Sequence, residues 1–172
     1  MRRGYGRAVR TFVLLSLLLL AAGAGSAFAL LTPQPVPAAV ERQIAARAGL
    51  ESYTPSRMMT GWHYARWQYV PGELRVWFAD RAQREVEFVV TPRLTAGCAA
   101  GAQKTYQLDG SKVYWSQTTD PSVDRYEQQA WRCVRHPSGR WMRLVALSPL
   151  PPTKLAAPGL GQVVASGRLI RA

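Results

Sequence analysis

The chain has 172 residues, 48% of them hydrophobic, with 22 lysines and arginines against 10 aspartates and glutamates, a formal charge of +12. That length suits one domain around one core once a targeting segment is set aside. Nucleic acid is disfavoured despite the charge: four arginines sit in the first ten residues, and the other 18 basic side chains are spread along the body without a nucleic-acid motif.

Arg2, Arg3, Arg7 and Arg10 precede a charge-free apolar stretch from Thr11 to Leu31, with Glu41 the first charge beyond it. Basic residues before an apolar run direct the rest of the chain out of the cytoplasm. Two outcomes follow. Ala27-Phe28-Ala29 has the form a signal peptidase reads, with cleavage after Ala29. Retained as a helix, the stretch reaches roughly 31 Å, enough to cross a hydrocarbon core of about 30 Å. The motif favours cleavage. Either way the body is expected outside the cytoplasmic membrane, secreted or anchored. No cysteine stands at the end of the run, so a lipid-modified N-terminus is not expected.

Cys98 and Cys133 are the two cysteines. In an exported domain an even count predicts a disulfide, and closing a loop of about 36 residues stabilises by roughly 3–4 kcal/mol on the chain-entropy account. The rival is zinc, with Cys133, His136, Cys98 and His63 as ligands. Structural zinc sites usually come as two tight pairs, whereas Cys98 and His63 stand alone, so the disulfide is the expectation and no metal or other cofactor is assigned.

Leu31 to Pro37 carries three prolines and reads as an extended spacer. Ala39, Val40, Ile44 and Ala45 recur at helical spacing, predicting a short helix over 38–49 closed by Gly49. Residues 52–60, broken by Pro55, read as loop. From Gly61 the period becomes two. Strands are expected over 62–70, 74–79 and 85–91, with Pro71-Gly72 as a turn and Leu74, Val76, Phe78, Val86, Phe88 and Val90 inward. Arg75 is expected to pair with Glu85 or Glu87 across the strands. Residues 92–103 form a loop carrying Cys98. Asp109-Gly110 between the runs 104–108 and 112–117 is the strongest hairpin signal, favouring a type I′ turn. Residues 118–124 read as loop, and 126–135 with 140–148 as a last hairpin. From Pro158, the residues Leu160, Val163, Val164, Gly167 and Ile170 recur at helical spacing, although three nearby glycines weaken the helix.

These elements predict an α+β fold. A single curved antiparallel sheet of about seven strands runs up and down in hairpins, with a short N-terminal helix and a C-terminal helix packed on it, after the N-terminal hydrophobic helix. The expected divisions are 1–31 for the leader, 32–60 for the spacer and short helix, and 61–172 for the β-rich domain. The stretch from Trp62 to Ile170 resembles an uncharacterised extracytoplasmic domain of bacterial envelope proteins, found behind a transmembrane helix and sometimes attached to anti-sigma factors. The likeness rests on the strand hairpins, on residues 108–115 (Leu108-Asp109-Gly110 before Val113-Tyr114-Trp115), on Ala130-Trp131-Arg132 with the following hairpin, and on Val163-Val164-Ala165-Ser166. The chain lacks that domain's Leu-Pro-x-Gly-Tyr lead-in, and ten residues before the apolar run are too few for a sigma-binding domain, so direct anti-sigma activity is not expected. The curved sheet is also similar to the lipoprotein-carrier fold, an analogy that says little about function.

His63, Trp67 and Tyr69 are expected to share one face of the first strand, with Trp62, Tyr64 and Arg66 on the other. The first set is the candidate interaction face, since aromatic and basic residues grip ligands and interfaces, but aromatic strands also pack as ordinary core. Trp115, Trp131 and Trp141 are expected in the core near the cystine. The carboxylate pairs Glu85 with Glu87 and Asp120 with Asp124 have no nameable pocket partner, and Asp120, Asp124 and Glu127 match no calcium loop. Ser138-Gly139 lacks the context of a nucleophile elbow, and no glycine-rich phosphate cradle is present. With no catalytic residue to nominate, the expectation is a non-enzymatic binding or interaction domain. Its partners are the membrane through the leader, anionic envelope lipid or polymer, and an unidentified protein. The alternatives are a carrier or sensor of an apolar lipid between sheet and helix and, more remotely, a hydrolase.

Overall fold

The computed structural model describes residues 31–92, 97–120, 125–149 and 157–171. The leader, with its cleavage motif at Ala29, therefore lies outside the described residues. No helix among the described residues is long and apolar enough to cross a membrane.

The chain begins with β1 (Leu31–Pro33), α1 (Ala38–Ala48) and a 3₁₀ turn over Gly49–Glu51. The helix ends where expected, because Gly49 takes φ +53°, a left-handed conformation that costs glycine nothing. Then come β2 (Tyr53–Pro55), β3 (Arg57–Met59), β4 (His63–Val70), β5 (Glu73–Ala79) and β6 (Glu85–Pro92). The remainder is β7 (Lys104–Leu108), β8 (Ser111–Asp120), β9 (Arg125–Arg135), β10 (Trp141–Ser148), α2 (Ala157–Ala165) and β11 (Gly167–Leu169).

Seven strands form one curved, open antiparallel sheet, an α+β fold as expected. Asp109 and Gly110 take φ 48° and 72°, the two positive values a type I′ turn needs. The strand order is β4-β5-β6-β10-β9-β8-β7. Two meanders, of three and four strands, thus meet where β10 pairs with β6, Val145 opposite Val89. Both central strands are buried on both sides: Val89 and Val145 are buried, and so are their neighbours Phe88, Val90, Leu144 and Ala146. Continuous apolar runs such as Phe88-Val89-Val90 and Leu144-Val145-Ala146 are the mark of strands that face no solvent.

The inner face of the sheet is covered by α2 over β8, β9 and β10 and by α1 and the N-terminal segment over the β4 side. Leu160, Val163 and Val164 are fully buried in one core with Val113, Ala130, Met142 and Leu144. The glycines that weaken this helix in isolation let it approach the sheet closely. A Cβ on Gly161 would lie 2.7 Å from Leu108 Cδ1. The helix is shorter than its spacing suggested: it stops at Ala165, Ser166 turns, and Gly167 and Leu169 enter β11 instead of a last helical turn.

The stretch expected as spacer and loop is built into the same core. Val36, Ile44, Ala48, Tyr53, Met58 and Met59 are all buried in it. Residues 52–60 are not loop: β2 pairs with β11 (Thr54 opposite Arg168) and β3 pairs with β1 (Met58 opposite Thr32). The partners come from the two ends of the described chain, so no local pattern announces the pairing. Arg168 then reaches α1, donating to Glu41 Oε1 at 2.8 Å and Oε2 at 2.7 Å, while Thr54 Oγ1 donates to Glu41 Oε1 at 2.7 Å.

Gly167 tests the close approach. A Cβ there would lie 2.7 Å from Leu144 Cδ1, 3.2 Å from the Val164 carbonyl oxygen and 3.3 Å from Phe88 Cζ. Gly167→Ala is expected to lower the unfolding free energy by about 1–3 kcal/mol, read by urea denaturation. An unchanged midpoint would mean that the last turn shifts without cost.

Candidate functional site

Because α2 occupies the inner face, the outer face is what the sheet offers to a partner. One part of it is covered. Residues 97–103 lie against it and are pinned by the Cys98–Cys133 disulfide, Cα atoms 6.0 Å apart. Under it lies a second apolar cluster of Val89, Tyr114, Trp131 and Val145, with Cys98, Ala102 and Leu147 around it. Tyr114 and Trp131 stack with centroids 5.9 Å apart, Trp131 Nε1 donates to the Cys98 carbonyl at 2.7 Å, and the Arg143 guanidinium lies 4.8 Å from the Trp131 ring. The two sulfurs are bonded to each other, so the zinc alternative falls. Among the described residues no group of three or more potential ligands is gathered for a metal.

The expected interaction face does not exist as one surface. His63 pairs with Ala79 and Tyr64 with Phe78, but the register then shifts, and Arg66 pairs with Trp77, Trp67 with Val76 and Tyr69 with Leu74. Ala65 is the extra residue of a β-bulge, which reverses the alternation that follows it. Tyr64, Trp67 and Tyr69 therefore turn inward and pack on the core, whereas His63 is exposed beside Ala79. The aromatic spacing held the signal: 62 and 64 are even, 67 and 69 odd.

The bulge puts Arg66 on the outer face. Its guanidinium lies 4.5 Å from the Trp77 ring and grips the Glu85 carboxylate with both nitrogens, Nη2 donating to Oε2 at 2.9 Å. Arg75 donates to Glu87 Oε1 at 3.0 Å, as expected, and also to Glu73. Trp77 lines two adjoining hollows. One, of about 230 Å³, is walled by Glu85, Glu87, Glu127 and Leu147; the other, of about 270 Å³, by Gln68, Val70, Glu73 and Arg75. The pair Glu85 and Glu87 thus acquires a pocket, because β10 and β9 bring Leu147 and Glu127 alongside it. The period-two pattern puts Trp77 with Arg75 on the outward face, opposite in phase to Leu74 and Phe78, but gives no reason to nominate it as a site residue.

Other candidates disperse. Trp115 and Trp131 are buried, but Trp141 is 52% exposed at the start of β10, against expectation. Its position beside the hairpin turn, opposite Arg135, leaves it nothing to pack under. His136 accepts from the Ser138 backbone N–H at 3.0 Å, contacts Ser138 Oγ at 2.7 Å and meets the Tyr53 ring edge-on at 6.3 Å. It sits at the opposite end of the sheet from His63. The calcium candidates Asp120 and Asp124 lie outside the described side chains and residues. Arg132, not singled out before, is largely buried: it donates to Ser111 Oγ at 2.6 Å and to the Gly167 carbonyl, and burial pulls its pKa down. It ties the sheet to β11.

No protein-family model, curated protein or solved structure matches the chain.

Two predictions follow from this geometry. Replacing Cys98 and Cys133 together by serine is expected to cost about 3 kcal/mol of unfolding free energy, read by denaturant titration beside the wild type with and without reductant. The Arg66 hydrogen bonds hold the Glu85 carboxyl below its ordinary pKa. A depressed carboxylate adds stability above its unfolded pKa and loses it as pH falls through the folded value. In Arg66→Met the Glu85 carboxyl is expected to titrate at higher pH by carbon-detected NMR, while that of Asp80, held low by Arg84, stays put.

Proposed function

We propose that the chain is a non-enzymatic binding domain that works outside the cytoplasm, held at the membrane or released from it by its leader, and that it binds through the groove beside Trp77. The observation that carries this reading is the position of Trp77, shared by two hollows on the sheet face that α2 leaves open. A flat aromatic ring framed by carboxylates and guanidinium groups suits a ligand with one apolar patch and several hydrogen-bonding groups. The disulfide is compatible with an oxidising compartment, and the basic-then-apolar leader supports export. The likeness to an extracytoplasmic domain of envelope proteins agrees with that placement.

Binding at the outer face is favoured over carriage of a lipid between sheet and helix because that interface is filled by Leu160, Val163, Val164 and Phe88. The non-enzymatic reading is supported by the two histidines standing at opposite ends of the sheet, where neither activates a shared nucleophile.

The test immobilises the full chain and its Trp77→Ala variant, passes an envelope extract over both, and identifies retained material by mass spectrometry. The wild type is expected to retain a species that the variant holds at least tenfold less well, the usual cost of removing a central aromatic anchor. Retention indifferent to Trp77 would place the ligand elsewhere, and co-purified lipid unaffected by the variant would favour the carrier. Turnover that vanishes in His63→Ala or His136→Ala would overturn the non-enzymatic reading.

A further inference from the structure

The two exposed large apolar side chains among the described residues are Val70, 44% exposed, and Trp141, 52% exposed. They lie at the same end of the sheet. Val70 closes β4 opposite Glu73, Leu74 pairs with Val90, and Pro92, two residues on, pairs with Met142, next to Trp141. Both belong to the outer face: Val70 alternates with Gln68 opposite Arg75, and Trp141 with Arg143 opposite Cys133. Three strand spacings separate them, roughly 14 Å.

This end is also the basic end of that face. Arg135 stands directly opposite Trp141, Arg140 precedes it in the turn, and Lys112 is exposed with its Nζ 5.7 Å from the Tyr114 ring. Among the described residues none of these three takes part in an ion pair. The two carboxylates at this end have partners, Asp109 with Arg57 at 3.6 Å and Glu73 with Arg75. The acidic residues Glu85, Glu87 and Glu127 gather around Trp77 at the far end. The outer face is therefore cationic and aromatic at one end, while at the other Glu85 and Glu87 are paired with Arg66 and Arg75.

We propose that the Trp141 end of the outer face docks on an anionic lipid surface. Arg135, Arg140 and Lys112 meet the headgroup charge while Trp141 and Val70 enter the interfacial layer. A polyanion would satisfy the cations alone; an exposed tryptophan, with a second exposed apolar side chain three strands away on the same face, gains free energy only where an acyl boundary receives it. The far end has its carboxylates paired with Arg66 and Arg75 and offers no such excess of unpaired cations, so docking by the Trp141 end leaves Glu85, Glu87 and Glu127 away from the lipid. This surface meets that groove at Val70, but Trp141, Arg135 and Arg140 do not line the groove, so variants at these three test the docking apart from the groove.

The experiment mixes the full chain with nanodiscs of phosphatidylcholine alone or with added phosphatidylglycerol, both carrying acyl chains brominated near the headgroup, and reads quenching of tryptophan fluorescence. Quenching is expected to grow with phosphatidylglycerol, to weaken at high salt, and to lose its phosphatidylglycerol-dependent part in Trp141→Phe. At about 1 kcal/mol per basic side chain at an anionic surface, Arg135→Gln with Arg140→Gln lowers the docked-to-undocked ratio about 30-fold. Both variants change exposed side chains, and unaltered far-UV circular dichroism without discs checks their folds. Quenching independent of phosphatidylglycerol, or unchanged in Trp141→Phe, overturns the proposal. So does tight binding of polyphosphate that survives Trp141→Phe while lipid quenching is absent.

Discussion

The close approach of α2 to the inner face of the sheet governs the rest of the molecule. A nine-residue helix with glycine at 161 is a poor helix on its own, and its stability comes from burying Leu160, Val163 and Val164 over β8, β9 and β10. Glycine at 161 and 167 removes the side chains that would hold the backbone off Leu108 and Leu144. The chain leaving this helix as β11 then supplies an edge for β2, which fastens the N-terminal segment to the domain. One packing event therefore closes the core, orders residues 53–55 and determines which sheet face meets solvent.

The outer face divides into three zones. Residues 97–103 shelter the Trp131 cluster in the middle, so the disulfide fixes Cys98 over an apolar patch. Beyond it on one side lies the Trp77 groove with its guanidinium–carboxylate pairs. On the other lies the cationic Trp141 end. Exposed ion pairs such as Arg66–Glu85 add little to stability. They hold Trp77 between defined polar groups, as the proposed binding groove requires.

The hairpins, the type I′ turn at Asp109-Gly110, the inward set from Leu74 to Val90 and the Arg75–Glu87 pair were all legible, because each depends on period-two alternation or on local turn chemistry. The β4 face was misread because a single bulge at Ala65 reverses every later side chain. Trp141 was placed in the core on residue type alone, although the adjoining His136-Pro137-Ser138-Gly139 turn left little around it. The Trp77 groove needed three strands brought together, and only its outward phase could be read in advance.

What the sequence by itself determined is the set of local elements, the polarity of each strand face up to a bulge, and an even pair of cysteines poised to bridge. What only the tertiary structure decided is the order of the strands, the pairing of residues 53–59 with both ends of the described chain, and the assembly of Trp77, Glu85, Glu87 and Leu147. The reason is physical. Backbone preferences and hydrophobic period act over a few residues, whereas strand order and groove walls follow from which distant apolar faces exclude water together.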